Sequence, residues 1–253
     1  MAFTAPPHLS PSSINSFLSC PLKFKFSKID GMVEPPTEAT LMGNFVHEIL
    51  EELYAIPPDE RTTDFAKTIA RRLWDESYRE KVNRHVHRSK HNELRWKSWF
   101  CVENLWGIEN PQETELDGIE YELNGDLGGV RLKGFIDRYI VNESDGRLVV
   151  GDYKTGKVPS PKWEDDKFFQ LFIYAALLKE LGVGEVSEVE LIYLKAPKVL
   201  RRPVTDGDLQ QVVETVVDVK NKIDQRCEEE YFETKKSPLC NWCHFKRICP
   251  EWT

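Results

Sequence analysis

Apolar residues over the first hundred positions recur at the spacing of amphipathic helices. Residues 41–56 show this spacing best, because Phe45, Ile49 and Leu53 lie four positions apart. An earlier apolar segment follows a serine-rich start. Pro21 is expected to interrupt or restart that helix, since proline lacks the backbone donor that a helix interior needs. The N-terminal part of the chain is therefore predicted to be helical.

Beyond residue 112 the pattern changes to short runs that are typical of strands. The glycine-rich residues 125–129 are predicted to join the first two strands. The elements predicted after the first two helices are a helix capped by Thr63 or Asp64 and ending at about Arg84, strands at 113–124, 129–141 and 147–155, a helix at 164–181, a strand at 186–196, and a helix at 206–230 opened by an Asp cap. The core order of helix, three strands, helix and strand predicts an α/β fold with helical additions on either side.

The length and composition bound the organisation of the chain. Its 253 residues are 40% hydrophobic, which is ample for a core in one large domain or one domain with an appendage. We predict a single domain over residues 1–253, with a helical region at 9–110, an α/β core at 111–200 and a C-terminal helix with a cysteine cluster at 201–253. No apolar stretch is long enough to cross a membrane, and no secretory signal is recognisable, so the expected location is the cytoplasm.

The charge of the chain is acidic overall and basic in one segment. A net charge of −8 argues against a protein that merely coats nucleic acid, although it allows a local basic groove. Residues 71–97 hold nine basic and four acidic residues, and Trp74, Trp96 and Trp99 are interleaved with them. This segment is either a solvated helix face or a surface that follows a DNA backbone, where Trp can stack on bases.

Candidate chemistry begins with three charged residues on neighbouring predicted strands. Asp152 and Lys154 are two positions apart, so a strand points both side chains to the same side. Asp137 lies on the preceding strand, and antiparallel neighbours are roughly 5 Å apart. Two such carboxylates repel each other unless a cation such as Mg²⁺ or Mn²⁺ lies between them. With the lysine as an electrostatic clamp, the set is suited to hydrolysing a phosphodiester, whereas a solvated strand end or a plain ion pair is the simpler alternative.

A second candidate site is a cysteine cluster near the C-terminus. Cys240, Cys243 and Cys249 form a C-x2-C-x5-C pattern, and Cys20 lies near the other end of the chain. In a reducing cytosol this pattern indicates metal ligation rather than disulfides. Zinc takes four nitrogen or sulfur ligands, so His244 could replace Cys20, whereas a [4Fe–4S] cluster takes four thiolates. The spacing does not decide between them, and either site is expected to join the two ends of the chain.

Several motifs in this order resemble a known nuclease family. Asp137 in GFIDRY, Asp152 and Lys154 in GDYKTGK, and Gln170 and Tyr174 in QLFIY resemble the PD-(D/E)XK nucleases of the RecB-like exonuclease branch. The predicted order of elements is also the core of that superfamily, the restriction-endonuclease-like fold. The resemblance covers roughly residues 9–250.

Two further features fit the same branch. His47 in GNFVHEILEEL fits its N-terminal histidine motif. Cys20, Cys240, Cys243 and Cys249 are similar to the iron–sulfur form of these nucleases, which occurs in AddB-type subunits, CRISPR-adaptation nucleases and stand-alone exonucleases. The resemblance thus favours [4Fe–4S] over zinc for the cysteine cluster, in a structural role.

The resemblance also implies roles for individual residues. His47, Asp137 and Asp152 would bind the divalent metal, with the backbone carbonyl of Tyr153 as a fourth ligand. Lys154 would position the attacking water and stabilise charge at the phosphorus.

Some of the implied roles are less sharply defined. Gln170 and Tyr174 are four apart, so they share a helix face. There they would lie beside Lys154 and contact the substrate or orient the lysine. An acidic role in the first strand would fall to Glu113, which nothing in the sequence distinguishes from Glu115.

The function that follows is a metal-dependent DNA nuclease using Mg²⁺ or Mn²⁺. It is expected to be an exonuclease that acts on single-stranded DNA or DNA ends by in-line hydrolysis, in DNA repair, recombination or phage DNA metabolism. The sequence has no helicase motif, so a helicase or recombination partner would be another chain. The alternatives are a non-cleaving DNA-binding or recombination-partner module, and a CRISPR-adaptation nuclease that trims DNA.

Overall fold

One mixed five-stranded sheet forms the centre of the protein. We describe residues 3–252 in a computed structural model, without the side chain of Trp163. The strands are β1 (Gly118–Leu127), β2 (Val130–Val141), β3 (Leu148–Lys154), β4 (Val186–Tyr193) and β5 (Lys198–Pro203). They lie side by side in chain order. Only β3 and β4 are parallel, and the helical connection between them is the kind that a parallel pair requires.

Helices cover both faces of this sheet. They are α1 (Pro11–Ser19), α2 (Pro21–Phe24), α3 (Glu38–Ala55), α4 (Thr63–Leu73), α5 (Arg79–His85), α6 (His91–Glu103), α7 (Asp165–Glu180) and α8 (Asp206–Glu228). On one face, α1, α2, α7 and α8 enclose a core that includes Ile14, Val150 and Leu177, here called the α7-side core. On the other face, α3 to α6 enclose the α3-side core, which includes Ile49 and Leu94.

The predicted helices largely form, with corrections at their ends. Proline restarts the first helix as predicted, because α1 ends at Ser19 and α2 begins at Pro21. The cap of α4 is Thr62, whose side chain accepts a hydrogen bond from Phe65 N. The cap of α8 is Thr205 in a capping box. The predicted caps were therefore wrong, by one or two residues at α4 and by one at α8.

Two elements were not predicted, and one strand starts later than predicted. Helix α6 carries little apolar periodicity, and β5 is short. The first strand begins at Gly118 rather than at residue 113, because residues 110–114 form a turn in which Asn110 O accepts hydrogen bonds from Glu113 and Thr114. Within residues 3–252, no helix is long and apolar enough to span a lipid bilayer.

The sheet opens between β2 and β3, and this opening positions the site described below. Pairing of β2 with β3 ends at Arg138 and Gly151. Nearer its start, β2 pairs instead with the N-terminal segment, where Leu9 exchanges backbone hydrogen bonds of 2.9 Å with Arg131 and Lys133. Beyond Gly151, the edge of β3 that faces β2 therefore leaves backbone groups for side chains to satisfy.

The two ends of the described chain pack together. Leu22 N donates to Glu233 O over 3.0 Å, and Lys235 Nζ donates to Leu18 O over 2.7 Å. The rings of Phe26 and Phe245 lie 5.2 Å apart. These contacts join the first helices to the C-terminal segment. The predicted division at residues 110 and 200 stays a prediction, and positions 1 and 253 lie outside the described residues.

Candidate metal centre

Asp152 and Lys154 form a close pair at the end of β3. Leu148 and Val150 of the same strand belong to the α7-side core, so the strand period points Asp152 toward α7. Lys154 Nζ lies 2.5 Å from Asp152 Oδ2, and the aspartate side chain is only 6% exposed. Within the described part of the chain, this buried oxygen still accepts no well-directed hydrogen bond. A buried carboxylate oxygen in that condition is a candidate ligand atom for a cation.

Asp137 lies where β2 separates from β3. It directly precedes Arg138, the β2 residue at which pairing with β3 ends. Continuing the antiparallel register by one residue places Asp137 opposite Asp152. The regular alternation of side chains along β2 is interrupted here. Ile136 packs in the α7-side core, whereas Arg138, two residues later, lies on the opposite face of the sheet and donates to the hydroxyl of Tyr153. Tyr153 N then donates to Asp137 Oδ2 over 2.7 Å, which satisfies a backbone donor that the sheet leaves unpaired.

His47 reaches this carboxylate from helix α3. Its Nδ1 lies 3.4 Å from Asp137 Oδ2, and its Nε2 donates to the carbonyl of Tyr153 over 2.8 Å. Burial lowers the pKa of His47, but the hydrogen bond with Asp137 and the charges of Asp137 and Asp152 raise it to about 9. A proton on His47 and a bound cation therefore compete for the same ring nitrogens.

Glu120 is a member of the site that the sequence analysis missed. One ligand atom each from His47, Glu120 and Asp137 lie within 4.8 Å of one another. The register that pairs Ile119 with Arg138 and Tyr121 with Ile136 places Glu120 opposite Asp137. Its φ of 43° falls in the left-handed region, which costs a non-glycine residue roughly 1–3 kcal/mol and recurs at active sites and ligand clamps.

The hairpin turn held the signal that could have found Glu120. Gly128 and Gly129 both have positive φ, as a two-residue turn of the mirror-image type requires. Counting back from this turn puts residue 120 opposite 137. The expectation of an acidic role for Glu113 or Glu115 does not fit the structure, because both precede β1 and are exposed.

The charges of the site repel one another in the absence of a cation. Burial, with a further contribution from Asp137, raises the pKa of Asp152 to about 6, although Lys154 opposes the shift. Burial and the charge of Asp137 likewise raise the pKa of Glu120 to about 7.

A small space at the same place is of a size to hold an ion. It measures about 10 Å³ and is lined in part by His47, Glu120, Asp137 and Tyr153. That is roughly the volume of one water-sized sphere. The donors around it are carboxylates, an imidazole and a carbonyl, which suit Mg²⁺ or Mn²⁺. The residues therefore fit a divalent cation.

Gln170 and Tyr174 lie on the buried side of α7. Gln170 Nε2 donates to Tyr174 OH over 3.1 Å, so the two share a helix face as predicted. Burial raises the pKa of Tyr174 to about 12, and the charges of Asp152 and Asp137 contribute to that shift. The Tyr174 ring passes close to Gly134, where a Cβ would lie 2.6 Å from ring atom Cε1. Glycine at 134 thus lets the ring approach the strand that carries Asp137.

A buried ion network supports the site from the α3-side core. Arg138 is 5% exposed and donates to both carboxylate oxygens of Glu109, over 2.6 and 2.8 Å, and to Tyr153 OH over 3.0 Å. Glu190 lies 3.6 Å away on β4. Gly151 leaves room for the guanidinium, since a Cβ there would lie 3.0 Å from Arg138 Nε. This network holds Tyr153, whose backbone carbonyl faces His47.

The cysteine cluster is less compact than predicted. Cys20, Cys240, Cys243 and Cys249 are all half-buried and lie on the two chain ends that pack together. In a zinc site, neighbouring ligand atoms are about 4 Å apart, given metal–sulfur bonds of about 2.3 Å. In the part of the chain that the structure describes, no three cysteine or histidine ligand atoms lie within 4.8 Å of one another. The predicted four-cysteine staple is therefore not shown by the side-chain positions.

Comparison with known proteins identifies the family. A sequence model of the PD-(D/E)XK nuclease superfamily matches residues 8–250. The chain belongs to the PD-(D/E)XK nuclease superfamily. Its mixed sheet, with Asp137 and the Asp152-x-Lys154 pair on neighbouring strands, agrees with the core of that superfamily. The resemblance drawn from the motifs is thereby confirmed at the level of the superfamily.

Two curated relatives match nearly the whole length of the chain, although about a quarter of the aligned residues are identical. The Gene 69 protein of Mycobacterium phage L5 is 24% identical over 96% of this chain and 96% of its own length. The Gene 69 protein of Mycobacterium phage D29 is 27% identical over 96% of this chain and 97% of its own length. A crystal structure from Eubacterium rectale, named "Putative exonuclease", superposes with a TM-score of 0.60 at 16% identity, covering 96% of this chain and 89% of that one. This last likeness shows the fold.

Proposed function

We propose that this PD-(D/E)XK protein is a metal-dependent DNA nuclease that cleaves phosphodiester bonds by in-line attack of water. The observation that carries the proposal is the convergence of His47, Glu120 and Asp137 within 4.8 Å, beside the buried pair of Asp152 and Lys154. Two raised carboxyl pKa values and an oxygen without a directed donor are the features expected of a cation site.

Each residue of the site has a part in the proposed chemistry. His47, Glu120 and Asp137, whose ligand atoms converge, would hold the cation, with Asp152 and the carbonyl of Tyr153 as further ligands. When bound, a divalent cation polarises the phosphodiester and lowers the pKa of the attacking water.

Two neighbouring groups complete the proposed mechanism. The ammonium of Lys154 orients the water and offsets charge that develops on the phosphoryl oxygens. Gln170 and Tyr174 contact the substrate or orient the lysine from α7. Direct attack by water needs no covalent enzyme intermediate.

Exonuclease action on single strands or DNA ends is the more specific form of the proposal. The Eubacterium rectale protein of the same fold carries the word exonuclease in its name. Two phage proteins match nearly the whole chain, which favours a place in phage DNA metabolism, repair or recombination. A non-cleaving DNA-binding module is the competing proposal, but it gives no reason to keep Asp137, Asp152 and Lys154 together.

A cleavage assay on end-labelled DNA tests the proposal. Single-stranded and double-stranded substrates are incubated with Mg²⁺, with Mn²⁺ and with EDTA. We expect cutting with either metal, none with EDTA, and faster loss of one labelled end from single strands. A folded protein that cuts neither substrate under any of these conditions would favour the binding module.

We further propose that Cys20, Cys240, Cys243 and Cys249 hold a structural [4Fe–4S] cluster, with zinc as the alternative. The chemistry of the donors supports this proposal, because four half-buried thiols lie on two chain ends that contact each other, although no three of their sulfurs lie within 4.8 Å of one another in the described residues. A cluster there stabilises the fold by joining residue 20 to the C-terminal segment.

Replacing Cys243 by serine should remove that cluster. We expect Cys243→Ser, purified without oxygen, to lose its visible absorbance and bound iron and to melt at a lower temperature, because a metal link between the chain ends is lost. Iron, zinc and sulfide are measured per chain. Cys101→Ser is the matched control, since Cys101 is buried on α6 in the α3-side core and should leave the metal content unchanged. Wild-type protein without iron or zinc would contradict the cluster.

A further inference from the structure

A second site lies on the other side of helix α3 from the candidate metal centre. It is a cavity of about 440 Å³ between α3, α4 and α6. Phe45 and Ile49 line it from α3, and His47 lies midway between them in sequence, so its side chain points to the opposite side of the helix. A volume of this size falls in the range of small-ligand sites, which is roughly 300–1,000 Å³.

Three tryptophans supply aromatic surface to this cavity. Trp74 is buried at its base, Trp99 is half-buried in its wall, and Trp96 is 72% exposed at its rim. An exposed indole beside a concave aromatic surface offers a face on which a planar ring can stack. The core does not require Trp96, since most of its surface is open to water.

The charge of the cavity is positive on an acidic protein. Its lining includes Lys67, Arg71 and Arg95 and no Asp or Glu, although Lys67 pairs over 3.2 Å with Asp64 outside the lining. Lys67 and Arg95 lie over the rings of Trp99 and Trp74, at 5.6 and 4.9 Å. No carboxylate lies within 4 Å of Arg71 or Arg95 among the residues that the structure describes.

Nearby arginines outside the cavity differ in this respect. Arg72, Arg79 and Arg84 each form an ion pair with a carboxylate of the same helical region. Five of the nine basic residues in 71–97 form ion pairs in the described part of the chain, whereas Arg71 and Arg95 in the cavity, like Lys81 and Arg88 outside it, form none. The two cavity arginines therefore keep their charge for a ligand.

We infer that this cavity binds nucleotides of single-stranded DNA during cutting, the choice of DNA resting on the proposed function. A base stacks on Trp96 and Trp99, and Arg71 and Arg95 neutralise the adjoining phosphates. Duplex DNA hides the faces of its bases, so the cavity selects single strands. Because only the width of α3, about 10 Å, separates it from His47, a bound strand is held beside the metal centre.

Binding in EDTA tests this inference without requiring cleavage. The probe is a fluorescein-labelled oligothymidylate of about 20 nucleotides, longer than one stacking site needs, followed by anisotropy beside a duplex of equal length. Trp96→Ala should bind the single strand at least about fivefold more weakly, because stacking is lost. Arg71→Ala should also bind more weakly, with a salt slope smaller by about 0.7, the value for one phosphate contact on a single strand.

Two matched variants control for the loss of any exposed ring or charge. Phe100→Ala removes an exposed ring from the same helix α6, outside the cavity. Arg84→Ala removes an exposed arginine that is already paired with Glu80. Both should bind the single strand as the wild type does. Equal binding by Trp96→Ala and the wild type, or an equal loss on duplex DNA, would overturn the inference.

Cutting of substrates of different length separates this inference from the proposed function. A dinucleotide has a single phosphodiester bond, so with that bond at the metal centre no further nucleotide is left to fill the cavity. The loss of cleavage in Trp96→Ala should therefore be smaller on the dinucleotide than on the long single strand. On the long single strand, the same variant should have a raised KM. If the wild type cuts neither substrate, the proposed function fails, whereas the binding results still decide whether the cavity takes single strands.

Discussion

Replacing Asp152 by asparagine should abolish phosphodiester cleavage and make the metal-free protein more stable. The Asp152 side chain is almost fully buried, and the negative charge of Asp137 repels the ionised form of Asp152. Because the pKa rises from 3.8 to about 6 on folding, the folded state holds the proton more tightly than the unfolded state. Stability is lost as the pH rises through this range, and at neutral pH the ionised group costs on the order of 3 kcal/mol. Asparagine removes that cost together with a ligand for the cation.

Two readouts check the Asp152→Asn prediction. Cleavage should fall by at least about 10²-fold, the scale reached when one electrostatic stabiliser is removed. The melting temperature in EDTA should rise. Asp218→Asn is the control, since Asp218 is an exposed aspartate that pairs with Lys222 on α8. Lys154→Ala should also lose cleavage but still bind metal. Normal cutting by Asp152→Asn would show that the site lies elsewhere.

Replacing Arg138 by methionine should destabilise the protein more than any surface substitution. Arg138 is the cation shared by Glu109 and Glu190, whose side chains are 13% and 9% exposed. Methionine keeps much of the volume but leaves those carboxylates buried with less compensation, although Arg201 also contacts Glu190. Breaking a buried ion pair in this way costs about 3–5 kcal/mol.

Urea unfolding measures this loss. The control is Arg84→Met, which removes an exposed pair with Glu80 and should leave the free energy of unfolding almost unchanged. Since Arg138 also donates to Tyr153 OH, its replacement should weaken metal binding through the Tyr153 carbonyl. Equal stability of Arg138→Met and Arg84→Met would mean that the network is compensated by water.

The strand period explains how much of the site the sequence could predict. Asp152 and Lys154 follow Leu148 and Val150 at alternate positions, so their shared side is a consequence of strand geometry. Their contact in the structure agrees with that expectation. Alternation alone gave no sign of Glu120, because its place opposite Asp137 depends on where the hairpin turns. Treating residues 125–129 as one loop shifts the register by several positions, whereas the real turn is two glycines.

The remaining omissions have a common physical cause, which is burial among distant partners. In the sequence, Arg138 has the pattern of an ordinary strand residue. Its buried partners Tyr153 and Glu190 come from β3 and β4 and are adjacent to it only in the folded sheet. Helix α6 has a polar sequence with no strong apolar stripe, and α3 and α4 supply the surface it needs. The short β5 is held by its pairing with β4. Such elements are stabilised by tertiary contacts that no local pattern reveals.

Titration of Mn²⁺ into the metal-free protein, followed by calorimetry without DNA, tests the central claim most directly. The account predicts binding to the wild type, and affinity at least about tenfold weaker for Glu120→Gln and for Asp152→Asn. Asp218→Asn should bind as the wild type does. No binding by a folded wild type, or unchanged affinity in both site variants, would contradict the assignment of the metal centre to His47, Glu120, Asp137 and Asp152.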